Sequence, residues 1–177
     1  MTDGKVMNFY ESRRLAGSLI AIILILGTVQ IFHYEPALPA KVATHFNGQG
    51  KVNGWMSRKA FIIYSIGMYY FMGGLFFISG WVIPKLPSGL INIPNRLYWM
   101  HPARREQAID ALLHYLYWIG VITLLYLLIL TQMTIEVNLN HSNQLNSHFW
   151  MVTSAYLIGL VYLGWKLYRH FKPVSLS

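Results

Sequence analysis

Four stretches of this sequence continue past the length of an ordinary strand or core helix without one Asp, Glu, Lys or Arg. They are Leu15 to Phe32, Ala60 to Ile83, Ala111 to Met133 and Phe149 to Trp165. Apolar runs of about 17 to 25 residues match a hydrocarbon layer roughly 30 Å thick, and within lipid a helix satisfies every backbone N–H and C=O inside one segment. The sequence therefore predicts an all-α, polytopic membrane protein with four transmembrane helices over approximately 15–34, 60–84, 110–133 and 148–168, forming one domain over 1–177. The fourth run is the shortest. Trp165, Lys166, Tyr168 and Arg169 follow as an interfacial anchor whose long side chains extend it by snorkelling. Composition agrees, since 11% of residues are charged where a soluble domain carries about a quarter.

The first run follows Lys5, Arg13 and Arg14, as the apolar region of a signal peptide would. It is longer than the roughly 15 residues of such regions, and Pro36 and Pro39 spoil the small residues Ala37 and Ala40 as a cleavage site. It is expected to stay as a helix. With the N-terminus inside, Lys5, Arg13, Arg14, Lys85, Arg96, Arg104, Arg105, Lys166, Arg169 and Lys172 fall on the cytoplasmic side. Lys41, Lys51, Arg58 and Lys59 fall outside. This bias predicts that both termini are cytoplasmic and accounts for most of the net charge of +8. The basic residues sit beside apolar runs, not on a polar stripe interleaved with stacking aromatics, so the expected partner is the lipid bilayer and no nucleic acid. The chain has no cysteine, which excludes disulfides, thiolate metal sites and cysteine nucleophiles.

In the second run Gly67 and Gly74 are seven apart, as are Gly73 and Gly80, so each pair returns to nearly one helix face. Such faces serve close helix packing, and the same spacing also opens room for a lipid or ligand.

Between the first two runs, Tyr34 to Lys59 has a different character: Pro36 and Pro39, then Thr44-His45-Phe46-Asn47, Gly48, Gly50, and Asn53-Gly54-Trp55. A phosphate-binding loop is excluded, because the lysine and hydroxyl of a Walker loop are missing. Asn53-Gly54 reads as a tight turn with Trp55 at the membrane interface. If the segment is extended, His45 and Asn47 alternate around Phe46 and face one side. Two uses stay open for them, binding a polar ligand or hydrogen-bonding the loop's own backbone.

The run from Leu38-Pro39 through Thr44-His45-Phe46-Asn47 to Asn53-Gly54-Trp55 and Ser57 resembles a membrane domain of unknown function that forms the first module of SdpI-like bacterial immunity proteins. A looser likeness continues on the cytoplasmic side at Asn92-Ile93-Pro94-Asn95, Tyr98-Trp99 and Pro102 to Glu106, with Arg105 inside it. The resemblance implies a bacterial inner-membrane protein and one structured outer loop between helices 1 and 2. In the longer immunity proteins, further spans follow this module and the family role is protection against a secreted membrane-active peptide, with relay of its presence to a repressor.

Topology gathers His33, His45, Glu136, His141 and His148 at or beyond the outer surface. Neutral imidazoles with a carboxylate suit a divalent metal, with His33, His45, Glu136 and His148 as its ligands. No H-x-x-x-H or H-E-x-x-H spacing preorganises a pair, so interfacial or turn-forming histidines are the other reading. Gln132 and Glu136 share a helix face. On the inner side, Glu106 and Asp110 stand near a helix start where carboxylates are favoured, with Glu106 able to pair with an arginine. His114 is the ionisable group inside a run and for that reason a functional suspect. No chain of buried acids or bases suited to ion transport appears, nor any hydrolase motif. The expectation is a non-enzymatic protein whose T-H-F-N loop recognises a membrane-active peptide, a lipid or a membrane protein partner. The rivals are a metal-binding membrane protein or enzyme built on the outer histidines, and an accessory subunit of a larger assembly.

Overall fold

The computed structural model describes residues 8–172; Lys5, counted above with the basic residues of the cytoplasmic side, lies outside them. The elements follow as α1 (Phe9–Tyr34), β1 (Lys41–Phe46), β2 (Val52–Ser57), α2 (Arg58–Val82), α3 (Arg96–Trp99), α4 (Arg105–Leu139) and α5 (His148–Phe171). Among the described residues, three helices are long and apolar enough to cross a membrane, those that begin at Phe9, Arg58 and Arg105. The fourth expected span is α5. Its 24 residues reach about 36 Å, but Trp150, Thr153, Ser154, Tyr156 and Tyr162 dilute its apolar character below that of the other three.

The all-α expectation fails between residues 41 and 57. There β1 and β2 pair antiparallel, with Lys41 opposite Ser57, Ala43 opposite Trp55 and Phe46 opposite Val52. Asn53 and Gly54 are not the turn; they lie inside β2. The turn is Asn47 to Gly50. The Asn47 side-chain oxygen accepts the N–H groups of Gln49 (2.9 Å) and Lys51 (3.0 Å), and Gly50 supplies the positive φ of 77°. An Asx-type turn satisfies these backbone N–H groups locally and lets the chain reverse between the two strands.

The helices form a bundle around α4. On α1 the buried residues Ser12, Ala16, Ile20, Ile23, Leu24, Gly27 and Ile31 recur at helical spacing and make one inward stripe. They pack with Tyr69 of α2 and with Tyr117, Val121 and Leu124 of α4. Ile22, Ile25, Val29 and Phe32 of α1 point outward and are exposed, as lipid-facing residues are. The glycine pairs of α2 divide: Gly73 faces Leu24 and Gly80 faces Tyr117 with no room for a methyl group, while nothing lies near Gly67 or Gly74. Gly27 of α1 is likewise closed, against the ring of Tyr69.

The start of α1 and the end of α5 meet at the end of the bundle away from the hairpin. The Phe9 ring stands edge-on to His170 with centroids 5.2 Å apart, and Trp99 stacks on His170. Ile91, Ile93, Met100, Ile109, Leu113 and Phe171 form a small core there. Arg105 donates to the carbonyls of Pro84 (2.9 Å) and Leu86 (2.8 Å), which ties the end of α2 to the start of α4.

Candidate functional site: a groove roofed by the hairpin

At the hairpin end α4 continues six residues past the expected boundary at Met133, to Leu139. This extra length carries Asn138, a buried residue whose side-chain oxygen accepts the Ala43 N–H at 2.7 Å and whose amide donates to the Ala43 carbonyl at 2.9 Å. The outer edge of β1 is therefore paired by a side chain in place of a third strand. β2 is held from the other direction. Val52 N–H donates to Asn143 O (3.0 Å), and Leu145 N–H donates to Gly50 O (2.9 Å), so the α4–α5 connection is stitched to the hairpin. Underneath, Leu38, Val42, Phe61 and Ile135 form an apolar seal.

Fixed in this way, the hairpin roofs a cavity of about 430 Å³ between α2 and α4. Thr44, His45 and Met56 come from the hairpin, Phe61, Tyr64, Ser65, Met68 and Tyr69 from α2, and Leu127, Leu130, Thr131 and Thr134 from α4. His45 and Tyr64 are exposed, and the inner wall ends at the buried ring of Tyr69. No acid, lysine or arginine lines it. Along its apolar walls stand hydroxyl groups. Tyr69 donates to Thr131 Oγ1 at 3.0 Å and Thr134 donates to the Leu130 carbonyl, but among the described residues the Thr44 and Ser65 hydroxyls have no hydrogen-bond partner within the chain. A neutral, mostly apolar cavity of this size with a few polar groups has the character of a ligand pocket.

Most of the loop motif builds the roof. His45 Nδ1 is hydrogen-bonded to the Asn53 side-chain oxygen across the hairpin. Gly54 stands opposite His45, where an added Cβ would lie 2.8 Å from the His45 Cβ. Asn47 forms the turn. Trp55 is exposed, with the Lys41 ammonium 5.4 Å from its ring centroid. Phe46 is half-buried at the end of β1. Thr44 and His45 are the two motif residues that reach the cavity; Asn47 does not share their side, because β1 ends before it.

The four proposed metal ligands are not brought together. Among the described residues no three His, Cys, Asp or Glu side chains converge as a metal site. His33 packs edge-on to Tyr34, His45 is engaged with Asn53, Glu136 accepts from Gln132 at 3.0 Å, and His148 is exposed at the start of α5. Gln132 and Glu136 do share a face, as their spacing requires, and Gln132 continues inward by accepting from Gln30 (2.9 Å). Gln30 in turn lies 3.4 Å from the Tyr69 hydroxyl, so a polar chain links the exposed carboxylate to the inner wall of the groove.

The second motif lies at the far end and serves structure. Asn95 adopts a left-handed backbone at the start of α3, Trp99 Nε1 donates to the Phe171 carbonyl, and the Arg104 guanidinium covers the Tyr98 ring. Glu106 is exposed; Asp110 takes the arginine instead, pairing with Arg13 at 3.0 Å. His114 packs among Phe9 and Tyr115, with its Nδ1 buried and unpartnered among the described residues. Sequence reasoning missed Asn138, Ser65 and Tyr69. The polar positions Thr131, Thr134 and Asn138, spaced three and four apart at the end of the third run, were the available signal.

Residues 21–68 match a family described as Domain of unknown function (DUF1648). The match takes in most of α1, the whole hairpin and the first part of α2 that lines the groove. No curated protein and no solved structure matches the chain.

Proposed function

We propose that this chain is a non-enzymatic membrane protein that binds an apolar segment of a membrane-active peptide in the groove between α2 and α4, under the hairpin. The observation that carries the reading is the groove itself, which is apolar and uncharged yet holds the free hydroxyls of Thr44 and Ser65 on its walls. A hydrocarbon tail has no use for those hydroxyls. A peptide brings backbone amides at regular intervals along an apolar body, and both kinds of lining are then satisfied at once. The matched family region is the part of the chain that builds the roof and one wall. The likeness of the T-H-F-N loop to the first module of SdpI-like immunity proteins supports the same ligand class and a role in immunity or sensing.

In this reading α5 is a fourth span and the protein sits in a bacterial inner membrane with the hairpin outside and both termini in the cytoplasm. Supporting it, the start of α1 and the end of α5 lie at one end of the bundle together with Arg96, Arg104, Arg105, Arg169 and Lys172, while the hairpin carries Lys41 and Lys51. The test is a titration of the purified protein in lipid nanodiscs with a panel of membrane-active peptides, read by thermal stabilisation. Ser65→Trp, which fills the groove, is expected to abolish the response while Gly67→Ala, in open space, preserves it. A tightly held lipid that copurifies with the native chain and is lost from Ser65→Trp would make the groove a lipid site and end the peptide reading.

A further inference from the structure

At the opposite end of the bundle, the link between α2 and α4 carries a second feature that the groove does not explain. From Lys85 to Arg105 every charged residue is positive: Lys85, Arg96, Arg104 and Arg105. Arg105 is occupied by two carbonyls. Arg96 is different. It donates to the Gly89 carbonyl at 3.0 Å, has no carboxylate partner among the described residues, and stands in a depression of about 210 Å³ lined by Ser88, Gly89, Arg96, Leu97, Met100 and His101. At and beside this depression, Leu97 is 87% and Leu90 is 68% exposed. Ile91, Ile93 and Met100 of the same link are buried, so the segment has already placed its core residues and presents these two leucines outward. A single exposed leucine is ordinary. Two of them beside a guanidinium that has no carboxylate partner among the described residues form an amphiphilic surface of defined sign.

We propose that this link is a binding site for an anionic phospholipid, its phosphate held by Arg96 with the Ser88 hydroxyl and the His101 ring at hand, and its acyl chains laid along Leu97 and Leu90. A guanidinium matches phosphate geometry with two parallel N–H donors. Arg104, held over the Tyr98 ring at 3.9 Å, adds a second positive charge nearby. The leucines decide between a lipid and a free phosphate: a dissolved anion needs the cations alone, whereas a lipid uses both halves of the surface.

The experiment titrates the full chain in neutral detergent with phosphatidylglycerol, with phosphatidylcholine and with inorganic phosphate. Melting temperature and lipid retained in native mass spectra are the readouts. Phosphatidylglycerol alone is expected to raise the melting temperature and to stay bound. Arg96→Gln and Arg104→Gln are each expected to weaken it about fivefold, from roughly 1 kcal/mol per basic residue near anionic lipid. Arg96→Lys, which keeps the charge but not the two parallel donors, lowers the affinity by less than Arg96→Gln, Leu97→Ser lowers it, and Arg169→Gln, a basic residue of α5 beside Trp165, leaves it unchanged. Equal binding of phosphatidylcholine, full replacement by inorganic phosphate, or a loss in Arg169→Gln equal to that in Arg96→Gln overturns the proposal. If Arg96→Gln fails to fold, Arg96→Lys and Leu97→Ser carry the comparison.

Discussion

The Asn138 side chain holds both backbone polar groups of Ala43, accepting from its N–H at 2.7 Å and donating to its carbonyl at 2.9 Å. One amide thereby does for β1 what a neighbouring strand would do, and it also donates to the Thr134 carbonyl of its own helix at 2.8 Å. Removing it leaves a buried N–H and C=O without partners, at a cost of about 1–3 kcal/mol for each such group. Asn138→Ala is expected to lower stability by about 2–4 kcal/mol in chemical denaturation. Hydrogen exchange is the sharper measurement: the Ala43 amide should lose protection while amides in the middle of α4 keep theirs.

The glycines give a second prediction, on α1, with its control in the neighbouring helix α2. A methyl group on Gly27 would lie 2.8 to 3.0 Å from the Tyr69 ring, and Tyr69 is itself enclosed. Gly27→Ala should therefore destabilise by about 1–3 kcal/mol, the usual range for overpacking. Gly67→Ala and Gly74→Ala meet nothing within contact distance. Helix propensity then governs, and these two are expected to be neutral or stabilising by up to about 1 kcal/mol.

How much of this was legible in the sequence depends on which force decides each element. Three long apolar helices could be read directly, because the absence of charge over a membrane's thickness leaves a helix as the only solution. α5 was harder to class, since Tyr156 and Thr153 serve a local purpose: Tyr126 and Tyr156 stack at 4.2 Å and Tyr126 is bonded to Thr153. The hairpin was hidden because its register rests on long-range partners. Asn138 lies 95 residues from Ala43, and no local pattern announces such a pairing. The motif was visible as a motif, but Gly54 could be recognised as room for His45 only after the register was known. The histidines His33, His45 and His148 were grouped by an expected sidedness, and an expected shared side does not make them converge.

The His45–Gly54 approach can be tested by a double-mutant cycle. Gly54→Ala places a Cβ 2.8 Å from that of His45, so one strand must shift, and a loss of about 1–3 kcal/mol is expected. His45→Gly removes the opposing Cβ. The double variant should recover part of the loss, giving a coupling energy of about 0.5–3 kcal/mol. Strict additivity in thermal or denaturant unfolding would show that the strands do not meet as described.

The last prediction concerns the chain of polar groups behind the groove. A tyrosine hydroxyl has one proton to give, and the nearest of its three oxygens is Thr131 Oγ1 at 3.0 Å, with Gln30 and the Leu127 carbonyl at 3.4 Å. Tyr69→Phe keeps the ring that packs on Gly27 and removes this donor. The net loss is expected to be about 0.5–1.5 kcal/mol, the ordinary worth of one hydrogen bond, well short of the 3–5 kcal/mol that follows deletion of a large buried ring. Glu136→Gln acts at the far end of the same chain, where Gln132 still finds a side-chain oxygen on an exposed residue, and stability should not change. If peptide in the groove reaches its polar inner wall, Tyr69→Phe weakens binding beyond its small effect on stability, because the Thr131 oxygen loses the donor that orients it. Titration calorimetry of the two variants with a peptide that stabilises the native chain measures this directly, and equal affinities would place the bound segment nearer the hairpin, at Thr44 and His45.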